Sequence, residues 1–163
     1  MNIRIAGIEN DSIVDGVGIR LTIFVQGCPH HCEGCHNPES WDYRGGRSVD
    51  VGEIISLMDK NPLLDGITLS GGEPFSYVGE CIELAEAAHK RGLNVWCYTG
   101  YTYEDLREMP WLWGLLDEVD VLVDGRFEKD KRSLELKFRG SSNQRVIDIN
   151  ETRKNGNISL AKL

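Results

Sequence analysis

No stretch of this 163-residue chain approaches the roughly 18 consecutive apolar residues of a membrane span, so no membrane partner is expected. The start, MNIRIAGIENDS, lacks the cationic segment and long apolar run of a secretory signal, and the expected location is cytoplasmic. Basic residues are the scarcer charges, 18 Lys and Arg against 26 Asp and Glu, and no basic block is longer than EKDKR at 128–132. A chain of net charge −8 does not hold phosphate backbones by default, which argues against nucleic acid as a partner. The group Lys129, Lys131, Arg132, Lys137 and Arg139 reads as a solvated loop, with an acidic protein surface as the alternative contact. Repeats, low-complexity tracts and Pro/Gly/Ser linkers are also missing. That leaves a single domain over 1–163, large enough to bury a core without disulfide staples.

Cysteine is sparse but concentrated. Three of the five fall in QGCPHHCEGCHNPESW (26–41), where Cys28, Cys32 and Cys35 form C-x3-C-x2-C beside His30, His31 and His36. An odd count without an export signal favours a reducing compartment and ligand thiols over disulfides. Cys81, in a predicted helix, and Cys97, in a predicted strand, read as buried small hydrophobes. Clustered thiolates suit zinc or iron–sulfur chemistry. A structural zinc needs four ligands, commonly from two knuckles; one of the histidines could serve, but a second CxxC is absent. A four-iron cluster is usually held by four cysteines, so three leave one iron open to a substrate or cofactor. On the residues alone both metals stay open.

Short β-rich runs alternate with helical ones. Strands are predicted at 19–26, 66–70, 93–100 and 119–125, with a fifth at 144–149. Helices are predicted at 50–60, opened by Asp50 with Glu53 in a capping-box-like start, and at 77–92, stopped by Gly92. The second carries Val78, Ile82, Ala85 and Ala88 as its apolar side. Thr102 and Asp105 open a short helix that Pro110 interrupts. Trp111 and Trp113 are expected to pack into the core there, with a partner-docking face as the alternative. The alternation predicts an α/β fold with right-handed crossovers, a mostly parallel sheet and an open or partial (β/α) barrel. In such folds function gathers at the C-terminal ends of strands, and CPHHCEGC, SGGEP (70–74), YTG (98–100) and DG (124–125) all fall there.

C-x3-C-x2-C after one strand and GGEP (71–74) after the next resemble the radical S-adenosylmethionine superfamily. DGVGIRLTIFVQGCPHHCEGCHNPESW (15–41) resembles the glycyl-radical-enzyme activases of that superfamily, through D-G-x-G-x-R, Q-G-C and N-P…W. The short chain, VDVLVDGRFE (119–128) and FRGSSNQRVIDI (138–149) are similar to the activases that serve anaerobic (class III) ribonucleotide reductase. The likeness spans about residues 13–150.

The resemblance implies that Cys28, Cys32 and Cys35 hold a [4Fe–4S] cluster whose fourth iron is chelated by S-adenosylmethionine. Gly34, Cys35, His36, Gly71, Gly72 and Glu73 are then expected to contact that cofactor, with Glu73 as an acceptor for a cation. Tyr98, Thr99 and Asp124 are further candidates for cofactor or monovalent cation contacts. Gly34 departs from the aromatic residue common before the last cysteine, so adenine contact passes to His36 or elsewhere. His30 and His31 are expected in solvated loop. The partners implied are the large subunit of the reductase and an external one-electron donor such as flavodoxin or ferredoxin. Pyruvate formate-lyase or another glycyl radical enzyme is the alternative target; a zinc-binding interaction module and a radical enzyme of small molecules are the competing classes.

Overall fold

The computed structural model describes residues 1–163. Its strands are β1 (Asn2–Ser12), β2 (Arg20–Val25), β3 (Arg47–Asp50), β4 (Gly66–Gly71), β5 (Asn94–Tyr98), β6 (Val121–Asp124) and β7 (Arg145–Asp148). They form one sheet in the order β3-β1-β2-β4-β5-β6-β7. The central strands β2, β4, β5 and β6 run parallel, as the strand–helix alternation predicts. The margins do not. β1 pairs antiparallel with β2 and β3, and β7 pairs antiparallel with β6, so the sheet is parallel in its middle and mixed overall.

The reason for β7 lies in its connection. Residues 126–144 contain one short 3-10 turn and no α-helix. The chain therefore returns without the crossover a parallel strand needs. β1 was not foreseen. Ile3 and Ile5 alternate and are buried, but the polar run Glu9–Asn10–Asp11 has low strand propensity. β3 is four residues long with one buried side chain, Val49, and gives almost no periodic signal.

Helix α1 (Val51–Lys60) starts at Asp50, whose carboxylate accepts from the Gly52 N–H at 2.9 Å; the reciprocal bond from Glu53 does not form. Helix α2 (Val78–Lys90) buries Cys81, Leu84, Ala85 and Ala88, a face rotated from the predicted one, because Val78 and Ile82 stay half-buried. Gly92 ends it at φ +72°, as expected of a glycine stop. Thr102 and Asp105 form a full capping box on α3 (Tyr103–Arg107). Beyond Pro110, Leu112, Leu115 and Leu116 are buried around α4 (Trp113–Leu116), whereas Trp111 is 70% exposed and Trp113 41% exposed. The tryptophans are surface residues, contrary to their expected core packing, since the leucines already fill the inward face. Helix α5 (Ile149–Asn155), capped by Asp148, follows β7 directly.

The two sheet faces differ. Leu21, Ile23, Ile67, Leu69, Val95, Cys97 and Leu122 belong to the main core with the helices; Cys81 and Cys97 are fully buried, as expected. Trp96, Val123 and Val146 form a second cluster with Tyr98 and Phe138 on the opposite face. No helix is long and apolar enough to cross a membrane.

Candidate functional site

The loops that leave the C-terminal ends of the four parallel strands converge on one cleft. Cys28, Cys32, Cys35 and His36 line it from the loop after β2, and Ser70, Gly71 and Gly72 from the end of β4. Tyr98, Thr99 and Gly100 come from β5, and Gly125, Arg126 and Phe127 from the stretch after β6. All three thiols are free and half-buried.

Backbone contacts fix the mouth. Gln26 is buried and donates from Nε2 to the carbonyls of Glu39 (2.9 Å) and Asp42 (2.7 Å). The Gly27 N–H donates to Ser40 O and the Cys28 N–H to Trp41 O, so QGC is laced to ESW and the cysteine loop is closed at its base. The Glu73 N–H donates to Gly27 O at 2.8 Å, and a Cβ on Gly72 would lie 2.2 Å from that same oxygen. Glycine at 72 is therefore required by the approach of two backbones.

The sulfurs sit among amides. Burial pushes the Cys28 thiol up, partly offset by the amides of His30 and His31, which approach its sulfur. Burial likewise raises Cys32, which meets the Phe127 amide. The Asn37 N–H donates to Cys35 Sγ at 3.4 Å. No three Cys, His, Asp or Glu side chains gather at the distances a single ion needs. A mononuclear zinc would draw its thiolate ligands to about 2.3 Å each. Three free thiols on one loop are a donor set that an iron–sulfur group would fit.

Glu73 is wholly buried, and its side chain does not face the cleft. It accepts from the Phe75 N–H (3.1 Å), the Thr99 hydroxyl (2.9 Å) and the Gly100 N–H (2.8 Å), with His30 Nε2 at 2.6 Å. Its carboxylate thus joins three loops. Thr99 spends its hydroxyl on that carboxylate, while Tyr98 donates to Phe138 O at 2.6 Å, burial raising its phenol above the ordinary range. Asp124 does not line the cleft. It is buried, accepts from the Tyr103 N–H at 2.8 Å and pairs with Arg145, which also reaches Glu104; these carboxylates raise the Arg145 guanidinium.

Gly34 turns the loop at φ +77° and lies outside the cleft wall, where a Cβ would stand 3.3 Å from the Phe127 ring. That ring packs 5.3 Å from His36, so an aromatic surface absent at position 34 is supplied from across the cleft. His31 is exposed and stacks on Trp41 at 4.7 Å. His30 is not solvated: its side chain is 3% exposed, contrary to the expectation for both histidines. Gly100 lines the cleft as its YTG strand end suggests, whereas Arg126 and Phe127 were missed as lining residues. DGRFE was visible in the sequence, but nothing local tells which of its side chains turns inward.

Comparison with known proteins adds to this geometry. The model of a 4Fe-4S single cluster domain matches residues 14–147, most of the chain. An anaerobic ribonucleoside-triphosphate reductase-activating protein of phage T4 is 35% identical over 141 residues, covering 82% of this chain and 86% of the relative. The chain belongs to this family of activating proteins. The Escherichia coli K12 member is 37% identical over 142 residues, covering 82% of this chain and 91% of its own. The Pasteurella multocida member is 36% identical over 140 residues, covering 81% and 89%. The span matched by the 4Fe-4S domain contains all three clustered cysteines.

Proposed function

We propose that this chain is an iron–sulfur enzyme that cleaves S-adenosylmethionine reductively and so generates a glycyl radical on anaerobic ribonucleoside-triphosphate reductase. The observation that carries this reading is a set of three free thiols on one loop, facing the Gly71–Gly72 turn across a shared cleft. Cys28, Cys32 and Cys35 would each hold one iron of a [4Fe–4S] cluster, leaving the fourth for the amino and carboxylate groups of S-adenosylmethionine. When bound, the reduced cluster supplies the electron that splits the sulfonium to methionine and a 5′-deoxyadenosyl radical, which takes a hydrogen atom from a glycine of the partner.

The chain's own residues bind and orient. Gly71, at φ +95°, packs so close to β2 that a Cβ would stand 2.6 Å from Val25 N, and this tight turn leaves its main chain lining the cleft, where it can meet the ligand's amino group. Arg126 lines the cleft and offers a cation to a carboxylate. His36 and Phe127 present the aromatic surface against which an adenine would pack. Cys35 and Gly34 contribute through the loop backbone. Glu73 and Thr99 shape the cleft through their mutual bond, and Tyr98 forms its wall.

In this reading residues 1–163 act as one unit and the sheet is the wall of an open (β/α) barrel of the radical S-adenosylmethionine type. An external donor such as flavodoxin or ferredoxin delivers the electron. The names of the relatives favour the reductase over pyruvate formate-lyase as the partner.

The test is anaerobic purification with iron and sulfide quantified, and reduced spectra with and without S-adenosylmethionine. About four irons per chain and a signal altered by the cofactor are expected. Alanine at any one of Cys28, Cys32 or Cys35 should abolish both. Mixing the reduced protein and cofactor with the reductase should give a glycine-centred paramagnetic doublet. Zinc without iron would end the reading; a doublet only with pyruvate formate-lyase would move the partner.

A further inference from the structure

His30 lies in the middle of the cysteine loop, among neighbours that are mostly exposed, yet its ring is almost entirely buried. The ring occupies a shaped seat. Glu73 meets its Nε2 at 2.6 Å, and Tyr101 packs edge-on at 4.7 Å between centroids. Gly100 forms the floor: a Cβ there would fall 2.3 Å from the imidazole. Two separate loops, those after β4 and β5, thus form the seat of one imidazole from a third.

The next residue shows what the seat is for. His31 adopts φ +48°, the left-handed region that a non-glycine residue holds only when its surroundings over-determine it. It is held on both sides, by the seated ring of His30 before it and by its own stacking on Trp41. The turn it makes lies between Cys28 and Cys32.

We infer that His30 is a positioning residue: anchored on Glu73, Gly100 and Tyr101, it holds the left-handed turn at His31 and with it the spacing of Cys28 and Cys32. The inference rests on the proposed cluster ligation for its purpose, though not for its geometry. It also gives Glu73 of the GGEP turn a second task, as the post to which the metal-binding loop is tied.

The variants are His30→Ala and His30→Gln, the latter restoring a side-chain N–H donor of similar reach. Iron release from the anaerobic holoprotein to a chelator should be about tenfold faster in H30A, as loss of one charge-assisted bond implies. H30Q should return to within about threefold of the wild type. The reduced cluster's paramagnetic line shape should broaden in H30A and sharpen again in H30Q. In the iron-free chain, alkylation of Cys28 and Cys32, followed by mass spectrometry, should be several-fold faster in H30A. Equal iron release and equal alkylation in H30A and wild type would overturn the inference. So would an H30Q as labile as H30A, because the ring would then only fill space. A wild type without iron, but with H30A still alkylated faster, would sink the cluster reading and leave the anchor standing.

Discussion

Replacing Arg20 by methionine tests how the sheet is held together beneath the cleft. Arg20 opens β2 at the end away from the thiols, is wholly buried, and is met by neutral acceptors instead of a carboxylate. Nε donates to Thr68 Oγ1 (2.7 Å), Nη1 to Val17 O (2.8 Å), and Nη2 to Ile67 O (2.7 Å) and Asn94 Oδ1 (2.6 Å). The Trp96 ring lies 5.5 Å from the guanidinium carbon. Burial pushes its pKa down to about 10, against the opposing pull of Asp65, Tyr98, Asp120 and Asp15. Methionine keeps most of the volume but removes every donor. Leaving the buried acceptors Thr68 Oγ1 and Ile67 O without this donor costs about 1–3 kcal/mol each, while relief of the buried cation's desolvation offsets part of that. The net loss expected is about 3 kcal/mol. For a chain of this length that is a fall in Tm of about 6–12 °C, read by calorimetry on anaerobic protein. R20K should fall between, since an ammonium reaches fewer of these acceptors. Iron content at low temperature should be unchanged, because the network lies at the opposite end of the strands. An R20M protein within about 1 kcal/mol of the wild type, or one as stable that loses iron, would refute this account.

Three further outcomes follow from the same contacts. Gly72→Ala drives a Cβ into the Gly27 carbonyl, a backbone that cannot give way, so iron retention after reconstitution should fall about tenfold or more. Asp124→Asn removes the charge facing Arg145 and should cost about 2 kcal/mol in urea unfolding, with S-adenosylmethionine affinity unchanged because Asp124 is outside the cleft. A clear loss of affinity in D124N would make it a ligand contact after all. His89 bridges Glu118 (3.1 Å) and Asp120 (2.9 Å); burial lowers its pKa, but those carboxylates outweigh burial and raise it. Its stabilising charge is therefore fully present below the unfolded value of about 6.5 and lost as pH rises through the folded value. Tm measured from pH 6 to 8 should decline less steeply in His89→Gln than in wild type, and parallel slopes would exclude the effect.

The positions of β2, β4 to β7 and α1 to α3 were legible because they rest on local patterns. Asp50 before α1, the Thr102–Asp105 box, Gly92 and the apolar runs of the parallel strands each act within a few residues. The cysteine spacing and the GGEP turn were legible for the same reason, and strand-end placement was enough to bring their loops to one mouth. Strand direction at the margins was not. β7 runs antiparallel because 126–144 contains no crossover helix, and β1 and β3 are strands only because each has the other, or β2, to pair with.

Side-chain roles at the site depended on partners distant in the chain. His30 is buried by Glu73, 43 residues on, and by Gly100, 70 residues on. Glu73 looked like a ligand contact in its motif, but four protein groups occupy it, three of them from other segments. Asp124 looked like a strand end open to the mouth until Arg145 claimed it. The sequence by itself determined which residue types stand at the strand ends, since that follows from short-range periodicity and spacing. Only the tertiary structure decided which of them face the cleft and which brace it, because burial and hydrogen-bond saturation are set by neighbours that the chain brings together from far apart.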